Sequence, residues 1–235
     1  RGGKAHGRAA RLGRRLAPVA RVLAAAGDAL RADLARLRAR HMLIPENECI
    51  QKVGGGNWSY WTSLATERLW LPPSETDADG CSTATPGACA LLREVGELDL
   101  DLDLGVAKEG EGTRGRTKGM KKRKKKRGRG RGRKTRLRVL RGAFSILEPG
   151  AHLQVHAAPS NTRLKLHVGL LTPRTTDGRP CAYLRVANTT EGWFEQNQVL
   201  FFDDSYEHEA WNVCDGPGME RAVFQLVFEH PDVPA

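Results

Sequence analysis

The amino-acid sequence predicts a mainly β protein, an antiparallel sandwich or barrel with a helical segment in front of it. After residue 143, short apolar stretches recur, and turns rich in Gly, Pro and Asn separate them. Short strands at this spacing favour an antiparallel fold over one in which strands alternate with helices. At 235 residues, the chain can form one large domain or two small ones.

A helical segment is predicted within residues 12–40. Six of its apolar residues recur at helical spacing and would share one side of the helix: Leu16, Val19, Leu23, Leu30, Leu34 and Leu37. Pro18 and Gly27 are expected to interrupt the helix. We expect the apolar side to pack on a neighbouring element, because a coiled coil needs more heptads than this segment has.

The middle of the chain is expected to lack regular structure. Residues 43–97 contain GGGNWSYWTSL and LPPSETDADGCSTATPGAC, whose composition is typical of loops. Residues 98–137 are of low complexity, first acidic and then basic, and are expected to form a disordered insertion, because they cannot bury a core. We therefore divide the chain into a basic, Ala/Arg-rich helical segment at 1–42, the N-terminal part of a domain at 43–97, this insertion, and a β core at 138–235.

The positive charge of the chain is concentrated in two segments. The formal net charge is +11, of which residues 1–41 contribute +9 and residues 114–141 contribute +17, so the remainder carries −15. A basic run can bind nucleic acid. However, no aromatic residue that could stack on bases is interleaved with the charges of 114–141. The run is therefore interpreted as a solvated insertion, and a nucleic-acid-associated protein is the alternative.

The clearest strand is predicted at TRLKLHVGLL, where apolar and polar residues alternate. One face would carry Leu164, Leu166, Val168 and Leu170. The opposite face would carry Arg163, Lys165, His167 and Gly169. An inward-facing polar side would form a cationic pocket suited to a small dianion, whereas an outward-facing one would be solvated, and the pattern leaves both open. Further strands are predicted in AFSIL, HLQVHA, CAYLRVA, QVLFF and RAVFQLVF.

Three histidines occur at or near these strands. His156 ends one strand, His167 lies within the next, and His208 follows LFFDDSYE. In a barrel, residues far apart in sequence can converge on one cavity. A non-haem iron site uses two His nitrogens and usually one carboxylate. Here Ala158 stands where the His-x-Asp form of that site has its carboxylate, so an isolated surface or packing role for these histidines is the alternative.

Three stretches of the sequence together resemble one known family. FSILEPGAHLQVHAAPSNTRLKLHVGL is followed by LFFDDSYEHEAW and then by RAVFQLVFEHPDV. In this order they resemble the aspartyl/asparaginyl β-hydroxylases, densely over residues 143–231 and more loosely back to about residue 57. The resemblance implies a double-stranded β-helix (a jelly-roll, cupin-like fold). It also implies an iron(II)- and 2-oxoglutarate-dependent dioxygenase that hydroxylates the β-carbon of Asp or Asn side chains.

The resemblance also implies the metal ligands. This family coordinates iron with two His and no acidic ligand, and His156 and His208 match those two positions. Ala158 takes the position of a family glycine, and Ala157 also departs from the pattern. A jelly-roll binding protein whose turnover is impaired by these two alanines is therefore kept as an alternative. Asp204 is expected to orient metal-bound water, whereas Glu207 and Glu209 are expected to be solvated.

The anion pocket follows from the same resemblance. Arg221 matches the residue that binds the distal carboxylate of 2-oxoglutarate, and Ser145 matches its hydroxyl partner. His167 and Lys165 match the pair near the proximal carboxylate, where the family has Arg in place of Lys165. Arg163 matches a basic residue that faces the substrate carboxylate. Molecular oxygen and a protein substrate, with EGF-like domains as family examples, are the implied partners, and nucleic acid is not expected as one.

The cysteine content bears on whether the protein works in an oxidising or a reducing compartment. Five occur, at Cys49, Cys81, Cys89, Cys181 and Cys214. Their spacing fits no zinc motif, and their odd number is compatible with one or two disulfides plus free thiol, or with none. The resemblance implies a Cys81–Cys89 disulfide and a lumenal domain of the endoplasmic reticulum, with the cytoplasm as alternative. No apolar run approaches the roughly 20 residues of a membrane span, so membrane attachment would require an anchor upstream of residue 1.

Overall fold

The structure is a computed structural model that describes residues 2–45, 52–53, 56–65, 81–101, 134–193 and 195–230. The described helices are α1 (Gly2–Ala25), α2 (Gly27–Ala39) and α3 (Pro86–Glu97). The described strands before the main β region are β1 (Ile44–Pro45), β2 (Lys52–Val53), β3 (Trp58–Ala65), β4 (Asp99–Asp101) and β5 (Lys134–Arg136). Those within it are β6 (Val139–Leu147), β7 (His152–His156), β8 (Arg163–Leu171), β9 (Ala182–Val186), β10 (Thr189–Gly192), β11 (Val199–Phe202), β12 (His208–Asn212) and β13 (Arg221–Glu229).

Two antiparallel sheets form the body of the protein. The larger has the order β1-β3-β6-β13-β8-β11, and the smaller has the order β10-β9-β12-β7-β2. One apolar cluster contains Trp58 and Leu147 from the larger sheet together with Leu153, Leu184 and Ala210 from the smaller one, so the two sheets pack face to face. This arrangement confirms the predicted jelly-roll fold.

Strand β8 has the alternation that its sequence predicts, and both of its faces are buried. Leu164, Leu166 and Val168 have no exposed surface and belong to a cluster that includes the helices. Lys165 and His167 lie on the other face, towards the second sheet, and His167 is buried. The helices cover the outer face of the larger sheet, and the polar residues of β8 therefore face the barrel interior.

The N-terminal helices provide that cover. All six predicted stripe residues are at most 2% exposed. The interruption expected at Pro18 was wrong, because α1 continues through it. The helical axis is interrupted at Ala26, where the hydrogen bonds Ala26 N–H to Val22 O and Leu30 N–H to Ala26 O still form. A β-carbon at Gly27 would lie 1.9 Å from Asn197 Oδ1, so glycine lets the helix approach that loop closely.

The expectation that residues 43–97 are irregular was wrong for two elements. Strand β3 pairs with β6, from Trp58 opposite Leu147 to Ala65 opposite Arg141. The Ser, Thr and Trp residues of this segment gave no clear alternation of apolar and polar residues, although β3 lies between β1 and β6 in the sheet. Helix α3 begins with Pro86, and Asp33 of α2 accepts a hydrogen bond from the Ala88 amide at 2.7 Å, which satisfies one free N–H of the first turn.

Residues 102–133, the greater part of the predicted insertion, lie outside the described residues, and its two ends pair as β4 and β5. The expected Cys81–Cys89 disulfide is confirmed, and a second disulfide joins Cys181 to Cys214. Cys49 lies outside the described residues. Among the helices that the structure describes, none has the length and apolar character required to cross a membrane.

Candidate functional site

Two histidines from neighbouring strands lie side by side in the barrel. His156, the last residue of β7, is the pairing partner of His208, the first of β12, and their ring centroids are 4.2 Å apart. The Nδ1 atom of His156 is 2.7 Å from Gln154 O, and that of His208 is 2.9 Å from Tyr206 O. Because a carbonyl oxygen only accepts, each Nδ1 carries the hydrogen and each Nε2 keeps a lone pair.

The two rings are also held in the neutral form. Burial lowers the pKa of His208 to about 4, and the positive charge of Lys165 acts in the same direction. Burial likewise lowers the pKa of His156. A neutral imidazole with a fixed tautomer is the form that binds a transition metal. At neutral pH, the pair therefore presents two Nε2 atoms ready to act as ligands.

The donor set fits a metal ion held by two protein ligands. Within the described part of the chain, no group of three or more His, Cys, Asp or Glu converges in a way that could hold a metal. Imidazole nitrogens bind first-row transition metals at about 2 Å, so two adjacent rings can coordinate the same ion. His156 and His208 thus suit a first-row transition metal whose other coordination positions stay open to small ligands.

A buried cationic pocket lies on the larger sheet. Arg221 is 2% exposed, and its Nε and Nη1 atoms have no hydrogen-bond partner among the described residues. The same holds for Nε2 of His167, which is 6% exposed. Burial lowers the pKa of Arg221 to about 10, so the guanidinium remains charged at neutral pH. An unpaired buried charge costs several kcal/mol, and a small anion that bound here would offset that cost.

Ser145 stands on the same face as Arg221. Val223 pairs with Ser145 and Arg221 with Leu147 on the adjoining strand, so the two side chains are diagonal neighbours. Trp58 donates its indole N–H to Ser145 Oγ at 3.0 Å. The hydroxyl hydrogen of Ser145 therefore remains available to donate to an anion beside Arg221.

Asp204 and Lys165 form a buried ion pair beside the histidines. Lys165 Nζ lies 3.1 Å from Asp204 Oδ2, and the Asp204 side chain is 4% exposed. Burial lowers the pKa of Lys165, and the Asp204 charge opposes that shift. Asp204 Oδ1 is buried and has no hydrogen-bond partner among the described residues. Asp204 is thus fixed by Lys165, and one of its oxygens is left to accept a hydrogen bond from a ligand of the site.

Ala158 donates its amide N–H to Asp204 O at 2.8 Å, while Ala157 is exposed. Arg163, the first residue of β8, lies opposite Glu229 in the register of the β8–β13 strand pair. Glu207 is exposed as expected.

The expectation for Glu209 was wrong. Its side chain is 13% exposed and forms ion pairs with His152 at 2.8 Å and Arg185 at 2.6 Å. It lies on a strand that the sequence did not reveal, where residues of adjacent strands supply its partners. These contacts place Glu209 on the face of the smaller sheet opposite to His208.

Sequence reasoning missed two aromatic contributors to the site. Trp58 orients Ser145, but it stands in a segment that reads as a loop. Phe202 places its ring 4.9 Å from that of His167 and 5.3 Å from that of His208, so it gives the space beside both histidines an apolar side. Its position next to Asp203 and Asp204 at a strand end was the only available signal.

Residues 131–231 match the family model described as aspartyl/asparaginyl beta-hydroxylase. The mouse (Mus musculus) aspartyl/asparaginyl beta-hydroxylase is 29% identical over 196 residues, which cover 83% of this chain and 19% of the mouse protein. The ornithine lipid ester-linked acyl 2-hydroxylase of Rhizobium tropici is 47% identical over 88 residues, 37% of this chain and 29% of the bacterial protein. A crystal structure of a Pseudomonas putida prolyl-4-hydroxylase aligns with a TM-score of 0.43 and 13% identity over 87% of each chain. The chain thus spans less than a third of the length of either curated relative.

Proposed function

Because residues 131–231 match the family model of the aspartyl/asparaginyl β-hydroxylases, we propose that the chain catalyses iron(II)- and 2-oxoglutarate-dependent hydroxylation of Asp or Asn side chains in proteins. One observation carries the proposal. Two neutral histidines with free Nε2 atoms and a buried, unpaired arginine face the interior of the same barrel. The first group suits a metal and the second suits a small dicarboxylate.

Each residue of the site has a defined role under this proposal. His156 and His208 would hold iron(II), and their Nδ1 hydrogen bonds to backbone carbonyls would fix the ring orientation. Arg221 would bind the distal carboxylate of 2-oxoglutarate with a charge-assisted pair of hydrogen bonds, and Ser145 would donate a third. His167 and Lys165 would lie beside the other end of that molecule.

Iron and 2-oxoglutarate, when bound, supply the activation of molecular oxygen that hydroxylation of an unactivated C–H bond requires, with succinate and carbon dioxide as by-products. The protein contributes position and environment. Phe202 would provide an apolar side next to His208, and the Lys165–Asp204 ion pair would fix the carboxylate whose free oxygen can accept a hydrogen bond from a ligand of the site. Arg163 would face the carboxylate of the acceptor side chain.

The proposal is tested by measuring 2-oxoglutarate consumption and iron content of the purified chain. His156→Ala and His208→Ala should each abolish iron-dependent turnover and lower bound iron, since two ligands leave no redundancy. His152→Ala is the matched control, because His152 pairs with Glu209 on the opposite face of the sheet. Wild-type iron content and turnover in either site variant would refute the assignment. A jelly-roll binding protein without turnover would bind iron or 2-oxoglutarate and consume neither oxygen nor 2-oxoglutarate.

We also propose that the protein works in a compartment that forms disulfides, such as the lumen of the endoplasmic reticulum. Disulfides form and persist in oxidising compartments and are rare in the cytosol. The two described disulfides support this proposal. Thiol counting on protein isolated from its native cells tests it: five reactive thiols in the denatured chain would indicate a reducing compartment instead.

A further inference from the structure

Three basic residues, Arg141, Lys165 and Arg163, lie close together at the end of the barrel nearest the two histidines. Val227 of β13 pairs with Arg141 of β6 on one side and with Lys165 of β8 on the other. Paired residues of adjacent antiparallel strands face the same side of a sheet, so Arg141 shares the inner face with Lys165. Burial lowers the pKa of Lys165 most, and the charges of Arg141 and Arg163 lower it further, as expected for three cations close together.

The guanidinium of Arg141 is oriented by an aromatic ring, but one of its hydrogen-bond donors has no acceptor among the described residues. Its guanidinium carbon lies 4.8 Å from the centroid of the Tyr60 ring, in a cation–π contact that orients the group. Its Nε atom is buried and has no hydrogen-bond partner among the described residues. A buried donor without an acceptor destabilises the fold, and it does so more strongly when the group is charged. An acceptor oxygen from outside the described chain would remove that cost.

The backbone positions of Arg141 and Arg221 are far apart on the sheet. Arg221 precedes Val227 by six residues along the same strand, and a strand rises about 3.4 Å per residue, so the Cα atoms of the two arginines are roughly 20 Å apart along the sheet. Burial lowers the pKa of Arg221, and the charge of Arg141 does not contribute to that shift. Lys165 has Asp204 as its partner. Arg141 therefore offers a positive charge that neither the 2-oxoglutarate pocket nor the Lys165–Asp204 pair uses.

We propose that Arg141 forms a second anion subsite, which selects acceptor peptides that carry a further acidic residue near the residue to be hydroxylated. This inference rests on the proposed function, because it specifies the substrate class of the same site. Arg163, which would face the carboxylate of the acceptor residue, lies two residues from Lys165 on β8, and β8 is two inter-strand spacings from β6, so the backbones at Arg141 and Arg163 are about 12 Å apart. Residues two to three apart in an extended peptide are separated by about 7–10 Å, and the length of a Glu side chain covers the remainder, so an acidic residue at that distance from the target would reach Arg141.

An acidic peptide fits this subsite better than a membrane surface does. The Nε atom of Arg141 is buried although the residue as a whole is partly exposed, so a single Glu or Asp side chain suits this position better than a flat layer of anionic headgroups does. The planar guanidinium also forms two parallel hydrogen bonds with a carboxylate, which favours Arg over Lys at such a position.

The test is direct binding of two labelled peptides to the intact chain, measured by fluorescence polarisation. One peptide has a central Asp with Glu residues two and three positions away, and the other has Gln at those positions. The wild-type chain should bind the Glu peptide about tenfold more tightly, a typical effect of one charge-assisted contact. Arg141→Gln should reduce this preference to less than about twofold, and Arg141→Lys should leave an intermediate one.

The matched control is Arg174→Gln, which removes the same charge from an exposed position outside the site. It should keep the tenfold preference. The melting temperature of each variant with and without 2-oxoglutarate shows whether the fold and the first pocket are intact. An unchanged preference in a folded Arg141→Gln variant would overturn the proposal, as would failure of the wild-type chain to bind either peptide. Binding to anionic lipid vesicles in place of the peptides would also overturn it.

These outcomes separate the subsite from the reaction. A preference that depends on Arg141 in a chain that never consumes 2-oxoglutarate would refute the proposed reaction and leave the subsite standing. Consumption of 2-oxoglutarate without any difference between the peptides would refute the subsite alone.

Discussion

Trp58 donates its indole N–H to Ser145 Oγ across the β3–β6 pair, over 3.0 Å. Both side chains are buried, and Ser145 neighbours Arg221. The bond occupies one acceptor position of Oγ and leaves the hydroxyl hydrogen of Ser145 free to donate, so Trp58 would orient the donor of the proposed anion site.

Replacement of that indole gives the first prediction. Trp58→Phe keeps a large ring but removes the donor, and the Ser145 hydroxyl becomes free to rotate. Loss of one neutral hydrogen bond is worth about 1 kcal/mol, so the 2-oxoglutarate concentration at half-maximal turnover should rise roughly fivefold. Ser145→Ala should have an effect of the same size, and the double variant should add little. Independent, additive effects of the two changes would contradict the coupling.

Replacement of Arg221 should change stability and binding in opposite directions. Arg221→Met removes a buried charge that lacks a partner among the described residues, so the ligand-free chain should melt at the same or a higher temperature. The same change should abolish most of the stabilisation by 2-oxoglutarate, since loss of a charge-assisted clamp costs on the order of 2–4 kcal/mol of binding. Thermal melts with and without 2-oxoglutarate measure both effects. A 2-oxoglutarate shift equal to that of the wild type would show that Arg221 lies outside the pocket.

The histidine pair should make the metal-free fold sensitive to acid. In the folded protein, burial lowers the pKa of His208 to about 4, from an ordinary value near 6.5. Between these values the unfolded chain binds more protons, so stability is complete above about pH 6.5 and is lost as the pH falls towards 4. The slope from this residue cannot exceed roughly 1.4 kcal/mol per pH unit.

Urea unfolding of chelator-treated protein at several pH values checks this prediction. His208→Gln should flatten the decline between pH 6.5 and 4, because Gln does not titrate. His152→Gln is the control, since the structure places that residue on the other face of the sheet. Equal slopes for the wild type and the His208 variant would count against a buried neutral imidazole.

The two disulfides should contribute unequally to stability. The Cys181–Cys214 bond closes a loop of 33 residues, whereas Cys81–Cys89 closes one of 8. In the chain-entropy model these loops correspond to roughly 3.7 and 2.5 kcal/mol. Cys181→Ser with Cys214→Ser should therefore lower the free energy of unfolding by about 1 kcal/mol more than the pair of changes at Cys81 and Cys89. Chemical denaturation of the two double variants provides the comparison, and the reverse order would contradict it.

Residue 158 allows a test of the two-histidine site. Under the family reading, Ala158→Asp supplies the carboxylate that the site lacks and should tighten iron binding, because it compensates the charge of the dication. Ala158→Gly should leave turnover equal or higher. The hydrogen bond from the backbone N–H of residue 158 to Asp204 O does not depend on the side chain, so the loop should keep its conformation in both variants. Identical iron dissociation constants for Ala, Gly and Asp would remove residue 158 from the metal site.

The alternation along β8 was readable from sequence, but its orientation was not. A period of two separates Lys165 and His167 from the leucines whichever side faces the core. The apolar stripe of α1 and α2 decides the matter, because these helices pack on the leucine side. A sequence read locally cannot show which distant element covers which face of a strand.

The elements that sequence reasoning missed depend on distant partners. Helix α3 receives its N-terminal cap from Asp33, 55 positions earlier, so the usual capping residue in front of the helix is not required. Glu209 looked solvated because its partners, His152 and Arg185, lie on other strands. The histidine pair was identified by family resemblance, because sequence spacing alone could not have distinguished His208 from a surface histidine at a strand end.

The cover formed by α1 and α2 has a consequence for biosynthesis. These helices are synthesised before the sheet that they cover, and their leucine stripe packs on a sheet that includes β13, which ends at Glu229. At 5–20 residues per second, the stripe waits roughly 10–40 s for the last strand of its docking surface. During that interval its leucines are exposed to solvent, so nascent chains of this protein should recruit a chaperone that binds apolar helices. Release from that chaperone should coincide with the synthesis of β13.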